Sequence, residues 1–377
     1  MKQVLVCNYP LEQYPPIYNI INNLLIANFE VVYIGLIKNV EKKKMLEKQG
    51  ILYYELDLSN NEDSKFSKFK KIYKNSYSIN KILYNSGLNN NNSKIWLFGE
   101  QTIWNNHNLI SNYKVISYLF EMPSFSLPLR YRVIFPFINY KKILQKSYKV
   151  VSCEDTRALI TKYFFKLKVD SIVIPNKNIN DINDIKFGKT DEIDKFLHNF
   201  SNKKIILYQG IFNYPERRIE ELCKSINYLG NEFVIVLVGG NGKYEELKKK
   251  YSNKRVVFQD FISYPDYLKI TQIAYIGFLS YFPVSSSLSE ILNVSFCAPN
   301  KIFEYSAYGL PMIANNIPSL NITFSQFNCG ITIDSYNEKN IAETIMVIDK
   351  NYEYYSEGSK KYFHSISIKE KIIDLTK

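Results

Sequence analysis

Cysteine is sparse in this chain: Cys7, Cys153, Cys223, Cys297 and Cys329 are the only five in 377 residues, and none forms a CxxC pair. An odd, scattered set excludes a disulfide framework and fits reduced thiols in a cytoplasm. The three histidines, His107, His198 and His364, stand at no metal-ligand spacing, and no Asp-x-Asp occurs. Neither a GxGxxG fingerprint nor a Walker A loop is present. Apolar runs such as residues 273–284 fall well short of the ~18 residues that a membrane span needs. The first residues, MKQVLVCNYP, hold no long apolar core, so no signal peptide is expected. Arginine is scarce, six against 42 lysines, so any paired arginines carry information.

What is present describes an ordinary globular protein. Hydrophobic residues make up 46% and charged residues 22%, which excludes a disordered or fibrous chain. The length predicts two domains, three at most. Lysine, isoleucine, tyrosine, phenylalanine and 40 asparagines dominate, a bias that an AT-rich genome imposes. The net charge of +12 is unevenly placed: residues 1–180 hold 25 cations against 13 acids, and residues 181–377 hold 23 of each. A basic first half points to an anionic partner, although a solvated lysine surface gives the same count.

Apolar strands alternate with amphipathic helices along the whole chain. KQVLVCN, EVVYIGLI, IWLFGE, KVISYLFE, YKVVSCE and DSIVIPN read as buried strands of the first half, with helices over 38–49, 62–84 and DTRALITKYFFKL. Residues 177–203 are polar and read as a linker. The alternation then restarts with KKIILYQGIF, EFVIVLVGG, RVVFQDFI, AYIGFLSY, PMIANN and CGITID. The expected fold class is α/β, two Rossmann-like doubly wound domains facing across a cleft, with ligands at the carboxyl ends of the strands. The expected boundaries are 1–180, 200–350, and a helical tail over 351–377 that packs back towards the first domain.

The second half carries the chemistry. Gly210 ends a strand, and the helix that follows its loop begins with Arg217 and Arg218. Glycine lets a diphosphate approach the backbone, and arginines neutralise it. The same pair could instead meet Glu220 and Glu221 on a helix surface. Gly239, Gly240 and Gly242 form a strand-to-helix turn, a weak signal that any tight turn would also give. In APNKIFEYSAYGLPMIANN, Asn300 opens a helix on which Lys301 and Glu304 share a face. A carboxylate there can accept two ribose hydroxyls, while the lysine and the helix amides suit phosphates. Taken alone, the pair also fits a surface ion pair.

PNKIFEYSAYGLPMI resembles the donor-site helix of the GT-B glycosyltransferases of family 4, whose pattern runs PNKxFEYxxxGxPxI. YQGIFNYPERRIEEL, VLVGGNGKYEEL and RVVFQDFI follow the family's order, and KVISYLFEMP resembles its strand ending in a His-Glu pair. The resemblance implies a GT-B fold and a nucleotide-diphosphate sugar as co-substrate, with no metal or resident cofactor and retention at the anomeric carbon. It implies an acceptor-binding first domain and a donor-binding second one. It assigns Glu304 to the ribose, Arg217 or Arg218 to the diphosphate, Gly210 to the position beneath it, and Asn300 and Lys301 to the sugar or phosphates; Gly239 and Gly240 join them as donor-binding candidates, and Glu304 is also a catalytic candidate. Two departures stand out. Phe296 occupies the first position of the family's E-x7-E motif, and Phe120 replaces the histidine before Glu121. Glu121 is then the carboxylate expected to orient or deprotonate the acceptor hydroxyl. Glu154 and Arg157 resemble a family pair but also fit a local helix start.

The expected activity is transfer of a sugar to a lipid-linked or oligosaccharide acceptor in bacterial capsule, lipopolysaccharide or O-antigen synthesis, in the cytoplasm at the inner membrane face. The +12 half would meet the anionic membrane surface. A nucleotide-sugar 2-epimerase and an inactive GT-B scaffold are the alternatives. A nucleic-acid partner is not expected, since no module interleaves cations with aromatics in a recognisable way.

Overall fold

The computed structural model describes residues 1–57, 64–188, 191–284 and 287–376. They form two units, Met1–Asn178 with Ser367–Lys377, and Ile179–Ile366. The first holds seven strands: β1 (Lys2–Pro10), β2 (Glu30–Leu36), β3 (Leu52–Glu55), β4 (Ser93–Phe98), β5 (Val115–Leu119), β6 (Lys149–Ser152) and β7 (Ile172–Val173). They form one sheet in the order β3-β2-β1-β4-β5-β6-β7, and every pairing is parallel. Strands β4 and β5 are buried end to end, because helices on both faces of a parallel sheet leave no residue free to face water. The expected strands are all present. The sequence reading missed β3, LYYE, because an edge strand of four part-exposed residues carries no continuous apolar run.

The last helix, Ile368–Thr376, belongs to this first unit, with Ile368, Ile372 and Leu375 buried. Its end is fixed from β4. Lys94 is buried, and its ammonium donates to the Thr376 carbonyl at 2.9 Å. A cation at a helix C-terminus meets the negative end of the backbone dipoles.

The second unit holds β8 (Lys204–Ile211), β9 (Phe233–Gly240), β10 (Val256–Asp260), β11 (Ile276–Leu279), β12 (Met312–Asn315) and β13 (Gly330–Ile333). Their order is β10-β9-β8-β11-β12-β13, again all parallel. Parallel neighbours need a crossover, and the helix Pro318–Phe327 supplies one between β12 and β13, where the sequence reading named only two strands. Within the polar stretch read as a linker, Asp191–His198 form a helix of this unit. Ile193, Phe196, Leu197 and Phe200 recur at helical spacing and pack on its core, and Asp194 pairs with Lys269 at 2.8 Å.

In both sheets the chain reverses direction of travel beside the first strand, between β1 and β4 and between β8 and β11. Ligands of open α/β sheets bind at the carboxyl ends of such strands. Gly277 in β11 lets the helix Asn300–Ala307 lie against the sheet there. A β-carbon on Gly277 would stand 2.3 Å from Tyr305 Cδ2, and Tyr305 is fully buried and unable to yield. Gly277→Ala is therefore expected to cost about 1–3 kcal/mol by overpacking. Denaturant titration checks this, and an unchanged midpoint would show that the helix is not seated by this contact.

Candidate active site

The floor of the second unit's switch point is bare backbone. Gly210 and Gly239 pair in register at the ends of β8 and β9, at φ +155° and +150°. A β-carbon on Gly239 would lie 2.0 Å from the Gly210 carbonyl oxygen, whereas one on Gly240 would meet nothing within 4 Å. The first contact requires glycine, and the second leaves room for a ligand against the backbone.

Two loops leave β8 and β11 at this point and are stitched together. The Arg218 amide donates to Ser280 Oγ at 3.0 Å, the Tyr336 hydroxyl donates to the Arg218 carbonyl at 2.7 Å, and the Phe282 amide donates to the Glu216 carbonyl at 3.0 Å. At the end of β12, Asn315 accepts from the Tyr281 amide at 2.8 Å and donates to its carbonyl at 2.6 Å. These bonds hold the backbone on which Tyr281 stands. The Arg217 guanidinium lies 4.2 Å over the Tyr281 ring and pairs with Glu216 at 2.8 Å. Arg218 is engaged elsewhere. It bonds Glu221 at 2.9 Å through Nε and lies 4.9 Å from the Phe282 ring and 5.3 Å from the Tyr336 ring. The adjacent arginines thus separate into one over the Tyr281 ring and one that braces the loop, the second partly as the Glu221 reading expected.

Glu304 is 1% exposed and so is no surface ion-pair partner. The Tyr267 hydroxyl donates to its Oε1 at 2.6 Å, and Lys301 Nζ donates to its Oε2 at 2.7 Å. Lys301 Nζ also stands 4.1 Å over the Tyr267 ring. Burial, reinforced by the Glu304 carboxylate, pushes the Tyr267 phenol well above its ordinary range, so it stays a donor. Tyr281 lies within electrostatic reach of both Arg217 and Glu304. The structure therefore gathers Gly210, Gly239, Arg217, Tyr281 and Glu304 around one strand-end region. Asn300 and Lys301 sit at the start of the helix that carries Glu304.

The predicted carboxylate of the first unit, Glu121, is exposed just beyond β5. Phe120 is buried in an aromatic stack, its ring 4.7 Å from Tyr14 and 5.8 Å from Phe98. Arg157 Nη1 donates to the Phe120 carbonyl at 2.9 Å, and Glu154 caps its own helix by accepting from the Arg157 amide at 2.8 Å. Glu100 was not singled out from the sequence. It follows Gly99, at φ +82°, at the end of β4. Its two oxygens accept from the Ser124 amide and hydroxyl at 2.7 and 2.8 Å. Burial raises its carboxyl to about 7 against the pull of those bonds, with the Glu121 charge adding to the rise.

Residues 203–350, inside the second unit, match the family model described as Glycosyl transferases group 1. That stretch, less than half of the chain, is similar to the group 1 glycosyltransferases. No curated protein matches it in sequence. Among solved structures it is similar to a glycosyltransferase from Rickettsia africae (15% identity, 99% of this chain and 93% of that one, TM-score 0.64). It is also similar to HepE from Anabaena solved with UDP and glucose (12%, 100% and 98%, 0.69). A Listeria monocytogenes protein described as a UDP-N-acetylglucosamine 2-epimerase matches as well (10%, 100% and 95%, 0.66). These likenesses show the GT-B fold and do not separate transfer from epimerisation.

Phe296, at the position of the first glutamate in the motif that the sequence resembles, ends the helix Leu288–Ser295. Tyr267 and Tyr281 were passed over in the sequence because 31 tyrosines hide any one of them. The signal for Glu100 was a glycine followed by a carboxylate at the end of a buried strand. Among the described residues, no group of three or more His, Cys, Asp or Glu is arranged to hold a metal ion.

Two outcomes are expected. Lys301→Ala leaves a buried carboxylate with one donor fewer, and adding Glu304→Gln should recover much of the loss, a coupling of about 1–3 kcal/mol in a double-mutant cycle. Additive losses would mean the pair is not energetically linked. Glu100, with a raised folded-state pKa, binds its proton more tightly folded than unfolded. It therefore favours the folded state at acid pH and loses that contribution as pH rises from about 4.5 to about 7. Relative to the parent, Glu100→Gln should melt higher at pH 8 than at pH 5, and a pH-independent difference would place Glu100 in an ordinary environment.

Proposed function

We propose that the second unit binds a nucleoside-diphosphate sugar and that the sugar passes to a lipid-linked or oligosaccharide acceptor held by the first. The observation that carries the donor reading is Arg217 laid on Tyr281 beside the bare Gly210–Gly239 floor, inside the stretch that matches the family. Arg217 neutralises the diphosphate as it leaves, and the first-turn amides of the helix Asn300–Ala307 add to that field. Two ribose hydroxyls replace Tyr267 and Lys301 on Glu304, and Lys301 is then released towards the phosphates. Arg218, Gly239, Gly240 and Asn300 shape the pocket around them. The leaving group is stabilised by these fixed cations and amides, and the sugar is transferred with retention. Glu121, exposed at a strand end of the first unit, orients or deprotonates the acceptor hydroxyl.

Support for a uridine nucleotide comes from HepE, which is described in complex with UDP and with UDP-glucose. Support for a surface-glycan acceptor comes from WaaG, described as a glycosyltransferase involved in lipopolysaccharide biosynthesis and similar in fold (10% identity, 99% and 98% covered, TM-score 0.60). The basic first half fits an acceptor carried at the cytoplasmic face of an anionic membrane. No described helix is long and apolar enough to cross one.

Titration calorimetry with UDP tests the donor site. Arg217→Ala should weaken binding about 10- to 150-fold, the worth of one charge-assisted contact of about 1.5–3 kcal/mol. Arg218→Ala should act mainly on stability. Equal UDP affinity in the parent and Arg217→Ala would sink the assignment. Glu304→Gln should abolish turnover with the fold intact. Conversion of the donor to its C2 epimer without transfer would replace the reaction proposed.

A further inference from the structure

The first unit carries an aromatic surface that its core does not use. On the helix Lys65–Asn85, Phe69, Tyr73 and Tyr77 recur every four residues and Tyr84 lies two turns further on. At 100° per residue all four fall within one narrow stripe, about 22 Å long. The stripe faces outward: Tyr77 is 71% and Tyr84 84% exposed. Lys70, Lys74 and Lys81 fall together along its edge by the same angles, and the helix holds no acidic residue. At one end the stripe meets a second segment, where the Tyr73 ring lies 5.6 Å from Phe135. There Leu129 is 78%, Val133 81% and Phe137 98% exposed. Residues 129–149 likewise contain no Asp or Glu. Between the segments opens a cavity of about 500 Å³, lined by Tyr73, Phe135, Phe137 and Ile143 with Lys142 and Lys146 among its walls.

Exposed apolar side chains edged by lysines, with acids excluded from both segments, match the chemistry of a membrane interface. Aromatic rings sit at headgroup depth, and lysines meet anionic phosphates. A soluble surface shaped only by lysine bias would not leave Phe137, Val133 and Leu129 in water together. We propose that this surface inserts into an anionic lipid leaflet, with Phe137, Val133 and Tyr77 entering the interface and one lipid chain occupying the cavity beside Phe135. The inference rests on the membrane-borne acceptor proposed above. It differs from docking by charge alone, because insertion persists when salt screens the lysines.

The test is co-sedimentation with phosphatidylglycerol vesicles and with phosphatidylcholine vesicles. It is run at about 0.1 M and about 1 M salt, between which the Debye length falls from about 10 to about 3 Å. The parent should pellet with the anionic vesicles, and a fraction should remain bound at high salt. Val133→Ser with Phe137→Ser removes apolar surface without touching charge or core, and should lower partitioning at least about tenfold. Phe137→Trp should show blue-shifted emission on anionic vesicles only. Complete release of the parent by salt, or a serine variant that binds like the parent, would overturn insertion. So would Phe137-dependent binding to single-stranded RNA, or Phe137-dependent dimerisation, in place of vesicle binding. UDP affinity measured on the same preparations reports the donor site separately. If UDP binding holds while vesicle binding fails, the surface proposal falls alone; if UDP binding fails, the donor reading falls.

Discussion

The second unit depends on the stitching of two loops across its switch point. Strands β8 and β11 are neighbours in the sheet, yet their following segments leave towards different helices. Without cross-links the strand ends would be bridged only by flexible chain. Arg218 supplies that link through its backbone, to Ser280 on one side and Tyr336 on the other. Asn315 then clasps both polar backbone groups of Tyr281. The clasp holds the backbone from which the Tyr281 ring projects, and the Arg217 guanidinium lies 4.2 Å over that ring. The cation is oriented before any ligand arrives, which is the condition under which electrostatic stabilisation costs no reorganisation.

This arrangement explains why the two arginines were indistinguishable in the sequence. ERR announces two cations after a glycine-ended strand, and either one satisfies the pattern. Which of them lies over the Tyr281 ring and which braces the loop depends on Glu216, Glu221 and three aromatic rings that arrive from later segments. The two glutamates are local, but the tethers of Arg218 at Ser280 and Tyr336 lie 62 and 118 residues away, beyond the reach of any local rule. The helix from Asn300 was legible because its signals are local: a proline before it, a glycine after it, and an apolar face of period 3.6. That Glu304 is buried under Tyr267 and Lys301 was not legible, since Tyr267 comes from a separate helix start. Alternation of strand and helix, by contrast, is written into each segment, and it identified the parallel sheets except where a strand was short or at an edge, as with β3.

In the first unit the same logic places a carboxyl where the pattern reading had none. Phe120 occupies the family's histidine position, and the aromatic stack with Tyr14 and Phe98 closes that space to a polar side chain. The neighbouring strand end offers Glu100 instead, held by Ser124 and lifted towards neutrality by burial. A group poised near pH 7 exchanges protons readily in either direction, whereas its two bonds from Ser124 also make it a brace for the loop that follows Glu121. Bracing and proton exchange draw on the same two oxygens, so loss of the proton strengthens the brace.

Codon bias accounts for how many tyrosines and phenylalanines the chain has, but not for where they stand. A biased genome scatters aromatics over core and surface alike. Burial then selects those inside, as in the stack around Phe120. The rings left outside should fall at random helical angles and among ordinary charges. On Lys65–Asn85 they instead hold one stripe, the lysines hold its margin, and acids are missing from the entire helix and from the facing segment. The second half of the chain, written under the same bias, balances its lysines with acids. Codon bias alone does not produce that arrangement, and an absence of acids beside exposed rings is what the proposed contact with an anionic leaflet requires.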